Sequence, residues 1–178
     1  MGKAIVVNNK MQKNYTYTVE NNPKDTEDFY KDFKPELTPK EMLTLGMMGG
    51  KYFNDVTDTN EYPKEWFKDA KLSGIDKPYN KELNYYKVKC GSSLKQWKEN
   101  GWIDKHDVRG WLEWYLRFMN NRRIPEIDKI QIARWKNAER FIKSAISHHK
   151  KTGTWSKPLL QTALHWCYDP RKYLKMKG

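Results

Sequence analysis

Residues 101–135 read GWIDKHDVRGWLEWYLRFMNNRRIPEIDKIQIARW and hold four of the eight tryptophans of this 178-residue chain. Advancing about 100° per residue, Val108, Trp111, Leu112, Trp114, Tyr115, Leu116, Phe118 and Met119 sweep one wide arc. Arg109, Glu113, Arg117 and Asn120 take the narrow remainder. Residues 108–121 therefore read as a mostly buried helix with one polar stripe, and Asp107 is placed to cap it. Pro125 suits the first turn of a second helix that runs to about residue 150 and ends near Gly153. Together they make a helical hairpin that supplies both the core and a charged surface.

The second helix has two faces. Ile127, Ile130, Trp135, Ala138, Phe141, Ile142, Ala145 and Ile146 form its apolar arc. Opposite them, Lys129, Lys136, Arg140 and Lys143 lie within roughly 60° on a helical wheel.

Working outward, Thr38-Pro39-Lys40-Glu41 is a capping box with proline at the first helical position. It opens a helix through Met42, Leu43, Leu45 and Met48 that Gly49-Gly50 stops. Ser92 or Ser93 caps a short helix over 94–99 with Trp97 inward. Ser156 caps a last helix, ended near residue 168 by Asp169-Pro170. Residues 4–7 and 15–19 read as short strands or an ordered arm, and residues 83–89 as a short strand or an extended segment. The expected fold is mainly α: a single compact helical domain of about five helices, with a short β element and an N-terminal arm. Residues 1–37 are the polar, peripheral arm, 38–170 the helical domain and 171–178 a basic, frayed tail.

Hydrophobic residues make up only 38% of the chain, but 14% is aromatic, so a few large side chains can build a real core. The net charge of +12 is uneven. Residues 1–60 carry 8 basic and 9 acidic side chains, 61–90 carry 7 and 5, and 91–178 carry 19 and 8. Nearly all the excess, +11, lies in the last segment, which marks a surface that attracts polyanions.

Two cysteines, Cys90 and Cys167, are too few for a disulfide scaffold. No run is apolar and long enough to span a bilayer, and no phosphate loop or cofactor motif is present. The expectation is an intracellular, reducing setting (cytoplasm, nucleus or virion), with no cofactor, no metal and no membrane partner.

The basic stripe Lys129, Lys136, Arg140 and Lys143, extended by Arg122 and Arg123, is the candidate for phosphate contact, since phosphates need cations on one face. The plainer reading is an ordinary solvated helix face. Gln131 and Arg134 fall inside the apolar arc, where a buried arginine must find a partner or face a pocket. Glu113 is one conceivable partner. Arg109, Glu113 and Arg117 at i, i+4, i+8 read as a helix ion-pair ladder. Trp155, in a loop, is the tryptophan freest to stack on a base. His106, His148, His149, His165 and Cys167 are scattered, without zinc spacing or a Cys–His nucleophile pattern.

The segments GG-K-Y-F at 49–53, GSSLKQWKENGWI at 91–103, GWLEWYLRF at 110–118, RRIPEIDKIQIARW at 122–135 and QTALHWCYD at 161–169 resemble, in order and spacing, a family of uncharacterised proteins. The resemblance covers roughly residues 38–169. It implies a self-contained domain with the N-terminal arm outside it, and carries no activity over. Arg117, Gln131, Arg134, His165 and Asp169 match its polar positions and are the candidate pocket residues.

Three functions follow as expectations. The first is a nucleic-acid-binding protein, for DNA or RNA, using the basic helix face. The second is an enzyme on nucleic acid or nucleotides with a pocket near Arg134 and His165. The third is a basic assembly protein that meets an acidic protein partner.

Overall fold

Eight consecutive residues, Trp111, Leu112, Glu113, Trp114, Tyr115, Leu116, Arg117 and Phe118, are buried, so the helix that carries them is wrapped on every side. The computed structural model describes residues 2–54, 61–90, 99, 101 and 104–175. The expected helix over 94–99, with Trp97, falls outside the described residues. Within them are six α-helices and one two-stranded sheet, the mainly α fold the sequence calls for. None of the described helices is long and apolar enough to cross a membrane.

The chain opens with β1 (Lys3–Val7) and β2 (Tyr15–Val19), an antiparallel pair in register from Lys3↔Val19 to Val7↔Tyr15. Side chains alternate across a strand, so Ile5, Val7 and Tyr17 share the inner face. A bridge from Val19 to Arg122 and a bond from the Glu20 N–H to the Asn121 carbonyl tie the hairpin to the main body.

Helix α1 (Asp28–Asp32) follows. Tyr30, Phe33 and Leu37 enter the main hydrophobic core, where the Phe33 ring meets Trp114, Tyr115, Phe118 and Trp135 edge-on or tilted. Residues 28–37, expected in a peripheral arm, are thus part of the core. Their aromatic side chains are what a Lys- and Asp-rich context hides from a composition reading.

Helix α2 (Pro39–Leu45) begins with the expected capping box: Thr38 accepts from the Glu41 N–H, and Glu41 accepts from the Thr38 N–H. It ends three residues before Met48. Gly46 takes φ 108, and a tight turn over Met48–Gly50 carries the chain past the ring of Tyr79. A Cβ on Gly49 would sit 2.4 Å from that ring, so the turn requires glycine there. Residues 83–89 are not a strand: Lys81–Leu83 is a 3-10 turn and the rest is irregular.

Helix α3 (Trp111–Met119) starts three residues later than the periodicity predicts. Gly110 at φ 94 is its N-cap residue, and Asp107 lies outside the helix with its carboxylate committed to two arginines. Helix α4 (Pro125–Thr152) has proline in its first turn and the left-handed Gly153 at its end, as its sequence signals. Asp128 links the hairpin: buried, it accepts from the Trp114 indole (2.8 Å), the Tyr30 hydroxyl (2.7 Å) and the Ile124 N–H (2.9 Å). The Trp111 indole donates to the Gln131 carbonyl beside it.

Ser156 caps α5 (Lys157–His165), which packs along α4. Cys167 at φ 57 turns the chain, and Asp169 caps a further helix, α6 (Pro170–Leu174). The preceding helix stops at His165, short of the expected residue 168, and Asp169-Pro170 starts another helix instead of ending that one. Residues 171–174 are therefore ordered rather than frayed, held through Glu36, which accepts from Tyr173 and Lys172.

Candidate functional site

The cations of the C-terminal half separate into an interior set and an exterior set. The interior set centres on Arg117, which α3 points inward and which is wholly buried. Its Nε donates to Glu61 (2.7 Å), its Nη1 to Asp107 (3.0 Å) and the His106 carbonyl (2.6 Å), and its Nη2 to Gln12 (2.8 Å). The rings of Tyr15 and Tyr17 lie 5.0 and 5.5 Å from the guanidinium carbon. Arg122 grips Asp107 with two parallel bonds of 2.8 and 2.7 Å and is 1% exposed. Glu113 lies 3.4 Å from both Arg109 and Arg117 and accepts from the Arg109 N–H. Arg109, Arg117 and Arg122 thus balance Glu61, Asp107 and Glu113. Burial pushes the Glu113 carboxyl up to about 7, against the downward pull of Arg117.

This changes the expected roles of three arginines. Arg109 precedes α3, so only Glu113 and Arg117 form an intrahelical pair. Arg122 cannot extend the basic stripe, because it is enclosed. Arg123 is half-buried, bonded twice to Asp25 (2.7 and 3.1 Å) and packed 3.6 Å over the Phe118 ring.

The exterior set lies on α4. Lys129, Lys136, Arg140, Lys143, Lys150 and Lys151 are all exposed. At about 100° per residue they fall within an arc of roughly 100°, and at about 1.5 Å per residue they extend over about 33 Å. Ala133, Ser144 and Ser147, also exposed, fill the gaps between them. Only two exposed acids, Glu126 and Glu139, share the helix with these six cations. Two cations have acidic neighbours: Lys136 meets Asp32 of α1 at 2.7 Å, and Lys143 meets Glu139 at 3.5 Å. Arg140 lies over the ring of Phe141 at 4.7 Å. Ile130, assigned by periodicity to the apolar arc, is 57% exposed at the margin of this face.

The candidate pocket residues do not converge. Arg117 belongs to the interior network. Gln131 is buried, but Arg134 is half-exposed and donates to Gln131 at 3.2 Å. Glu113, the carboxylate expected to face Arg134, faces Arg109 and Arg117 instead. Asp169 caps α6 and holds Arg171. His165 sits elsewhere, and its surroundings define its proton. Its Nε2 accepts from the Met48 N–H (3.1 Å) and lies 3.1 Å from the Gln161 amide nitrogen. That amide is oriented by its bonds to the Gly46 carbonyl and the Tyr86 N–H. Neutral His165 therefore carries its proton on Nδ1, toward the Cys90 sulfur at 3.9 Å.

The sequence gives no sign of this Cys90–His165 contact, since 75 residues separate the two. It is not an activated nucleophile pair. Nδ1 is already protonated, and burial pushes the Cys90 thiol up to about 11, so the thiolate is not favoured. Among the described residues no group of three or more His, Cys, Asp or Glu side chains could hold a metal ion. Trp155 is stacked on His149 at 4.2 Å, on the side of α4 away from the basic face. The helical tryptophans Trp111 and Trp114 are core, as their spacing indicates.

Gln12 and Glu61 escaped the sequence reading because each is an ordinary polar residue in a polar segment, and Asp107 read there as a helix cap rather than as a partner of arginine. Their roles come from tertiary contacts alone. No family, no curated protein and no solved structure matches the chain.

Two outcomes test these assignments. Replacing Arg117 with Met leaves Glu61 and Asp107 buried without their shared cation, so the variant loses about 3–5 kcal/mol in urea unfolding. A loss under about 1 kcal/mol contradicts the buried network. The second concerns pH. Burial holds the His165 imidazole down at about 3 against an ordinary 6.5, so its contribution is complete above 6.5 and is lost as pH falls through that value toward 3. The stability advantage of the wild type over His165→Gln therefore shrinks by roughly 2 kcal/mol between pH 6.5 and 5. Comparing the two proteins cancels the opposite trend from Glu113. A constant difference contradicts a neutral, buried His165.

Proposed function

We propose that the protein binds nucleic acid through its phosphates, using the exposed face of α4. The observation that carries this reading is the row of six exposed cations, Lys129, Lys136, Arg140, Lys143, Lys150 and Lys151, aligned on one rigid 28-residue helix. Such a row meets a polyanion without folding of its own, so little ordering cost opposes contact. It offers charge rather than base-reading geometry, because the residues between the cations are small or hydroxylic. The expected recognition is therefore of backbone, with little sequence preference, for DNA or RNA. The ion pairs of Lys136 and Lys143 are solvent-exposed, worth on the order of 1 kcal/mol or less, and open to exchange for phosphate.

Binding of a labelled 20-nucleotide strand and of the matching duplex, measured from 50 to 200 mM salt, tests the proposal. Affinity falls steeply with salt, with a log–log slope of about −0.7 to −0.9 for each phosphate contact. Lys136→Glu with Arg140→Glu reduces affinity at 50 mM salt by at least tenfold, while the helical circular dichroism signal stays unchanged. A flat slope, or no binding at 50 mM salt, refutes the reading. Tight binding to an acidic protein with no measurable affinity for either oligonucleotide also refutes it.

A further inference from the structure

The basic face contains its own competitors. Asp32, on α1, is 104 residues from Lys136 in sequence, yet its carboxylate accepts from the Lys136 ammonium at 2.7 Å. Both side chains are about half-exposed, at 49% and 55%, so a passing phosphate can reach the same ammonium. The bond from Lys136, with a smaller contribution from the charge of Lys34, holds the Asp32 carboxyl below the ordinary range. One turn along α4, Glu139 stands 3.5 Å from Lys143 in the same relation. Lys129, Arg140, Lys150 and Lys151 have no such acid partner among the described residues. Among the described residues four of the six cations therefore lack an acid partner and two have one.

The geometry points to a regulated interface in which Asp32 and Glu139 act as internal substitutes for phosphate, so that nucleic acid must displace them to engage Lys136 and Lys143. This inference rests on the phosphate-binding reading of α4 and concerns how strongly that face binds. While Lys136 and Lys143 stay paired with their carboxylates they neutralise no phosphate, release no counterion from the nucleic acid and add nothing to the salt dependence. The wild type then behaves as a face of about four effective contacts, although six cations line it. Long polyanions, which can fill the open positions first, displace the acids more readily than short ones.

Asp32→Asn and Glu139→Gln remove the competitors and keep side-chain size. Each tightens binding of the 20-nucleotide strand at 50 mM salt by roughly three- to tenfold and steepens the log–log salt slope by about 0.7–0.9. Removing any acid lowers long-range repulsion, so the control is Asp28→Asn. Asp28 lies on the same helix α1 but its side chain is 99% exposed and borders only Lys31, at 3.9 Å. That variant leaves the slope unchanged. In an Asp32→Asn background, Lys136→Met abolishes the gain. If the wild type binds and Asp32→Asn changes neither affinity nor slope, the inference is overturned while the phosphate-binding reading stands. An equal gain from Asp28→Asn overturns it too, since net charge then explains the effect. If the wild type binds neither strand nor duplex at 50 mM salt, the underlying reading fails first and this one with it.

Discussion

A fully buried guanidinium cannot exist without partners, and Arg117 draws its partners from four separate parts of the chain. Gln12 comes from the β-hairpin connection, Glu61 from the middle segment, Asp107 from the turn before α3, and Glu113 from α3 itself. Gln12, Glu61 and Asp107 lie outside the regular helices and strands, and their bonds to Arg117 fix where each of those stretches must lie. Tyr15 and Tyr17 lay the hairpin over the cation, and Arg122 completes the set through Asp107. With Arg109 and Glu113 included, this network sets three guanidinium groups against three carboxyls, as a low-dielectric site demands.

That balance explains where the positive excess of the protein goes. The +11 of residues 91–178 counts Arg109, Arg117 and Arg122, which are spent inside, and Arg123, which Asp25 holds. Of what remains for solvent, six exposed cations line one face of α4. Two different physical jobs are therefore done by the same residue types in one stretch of sequence. Arginine, with its planar donors, serves the enclosed network; mainly lysine, a strongly hydrated point charge, lines the outside. The hydrophobic side of α4 keeps this face rigid. Trp135, Ala138, Ile142 and Ala145 are buried, and the Tyr168 hydroxyl donates to the Trp135 carbonyl at 2.6 Å.

Much of the helical framework was legible because it is locally encoded. The Thr38 capping box, Pro125, Gly153 and Ser156 each act within one turn, and each mark appears where the sequence puts it. The tryptophans of α3 are core, as their spacing alone indicates. Sequence and structure part where a tertiary partner replaces a local one. Asp107 has the chemistry of a helix cap, but two arginines claim its carboxylate, and α3 starts at Trp111 instead. Arg122 has the sequence position of a surface cation, but its bidentate bond to Asp107 encloses it. The α4 cations were legible as a stripe because helix periodicity is local. Their extension to Lys150 and Lys151 follows from how far the helix runs, and the Asp32 partner of Lys136 could not be read without the fold.

Contact with nucleic acid through the exterior lysines of α4, and not through the basic residues in general, is the proposal on which the functional reading depends. Lysine acetylation footprinting by mass spectrometry, with and without the 20-nucleotide strand at 50 mM salt, tests it most directly. Protection by the strand is expected at Lys129, Lys150 and Lys151, which lack an acid partner among the described residues, with Lys64, Lys71 and Lys81 modified equally in both samples. Uniform protection of all lysines, or protection confined to residues outside α4, contradicts it.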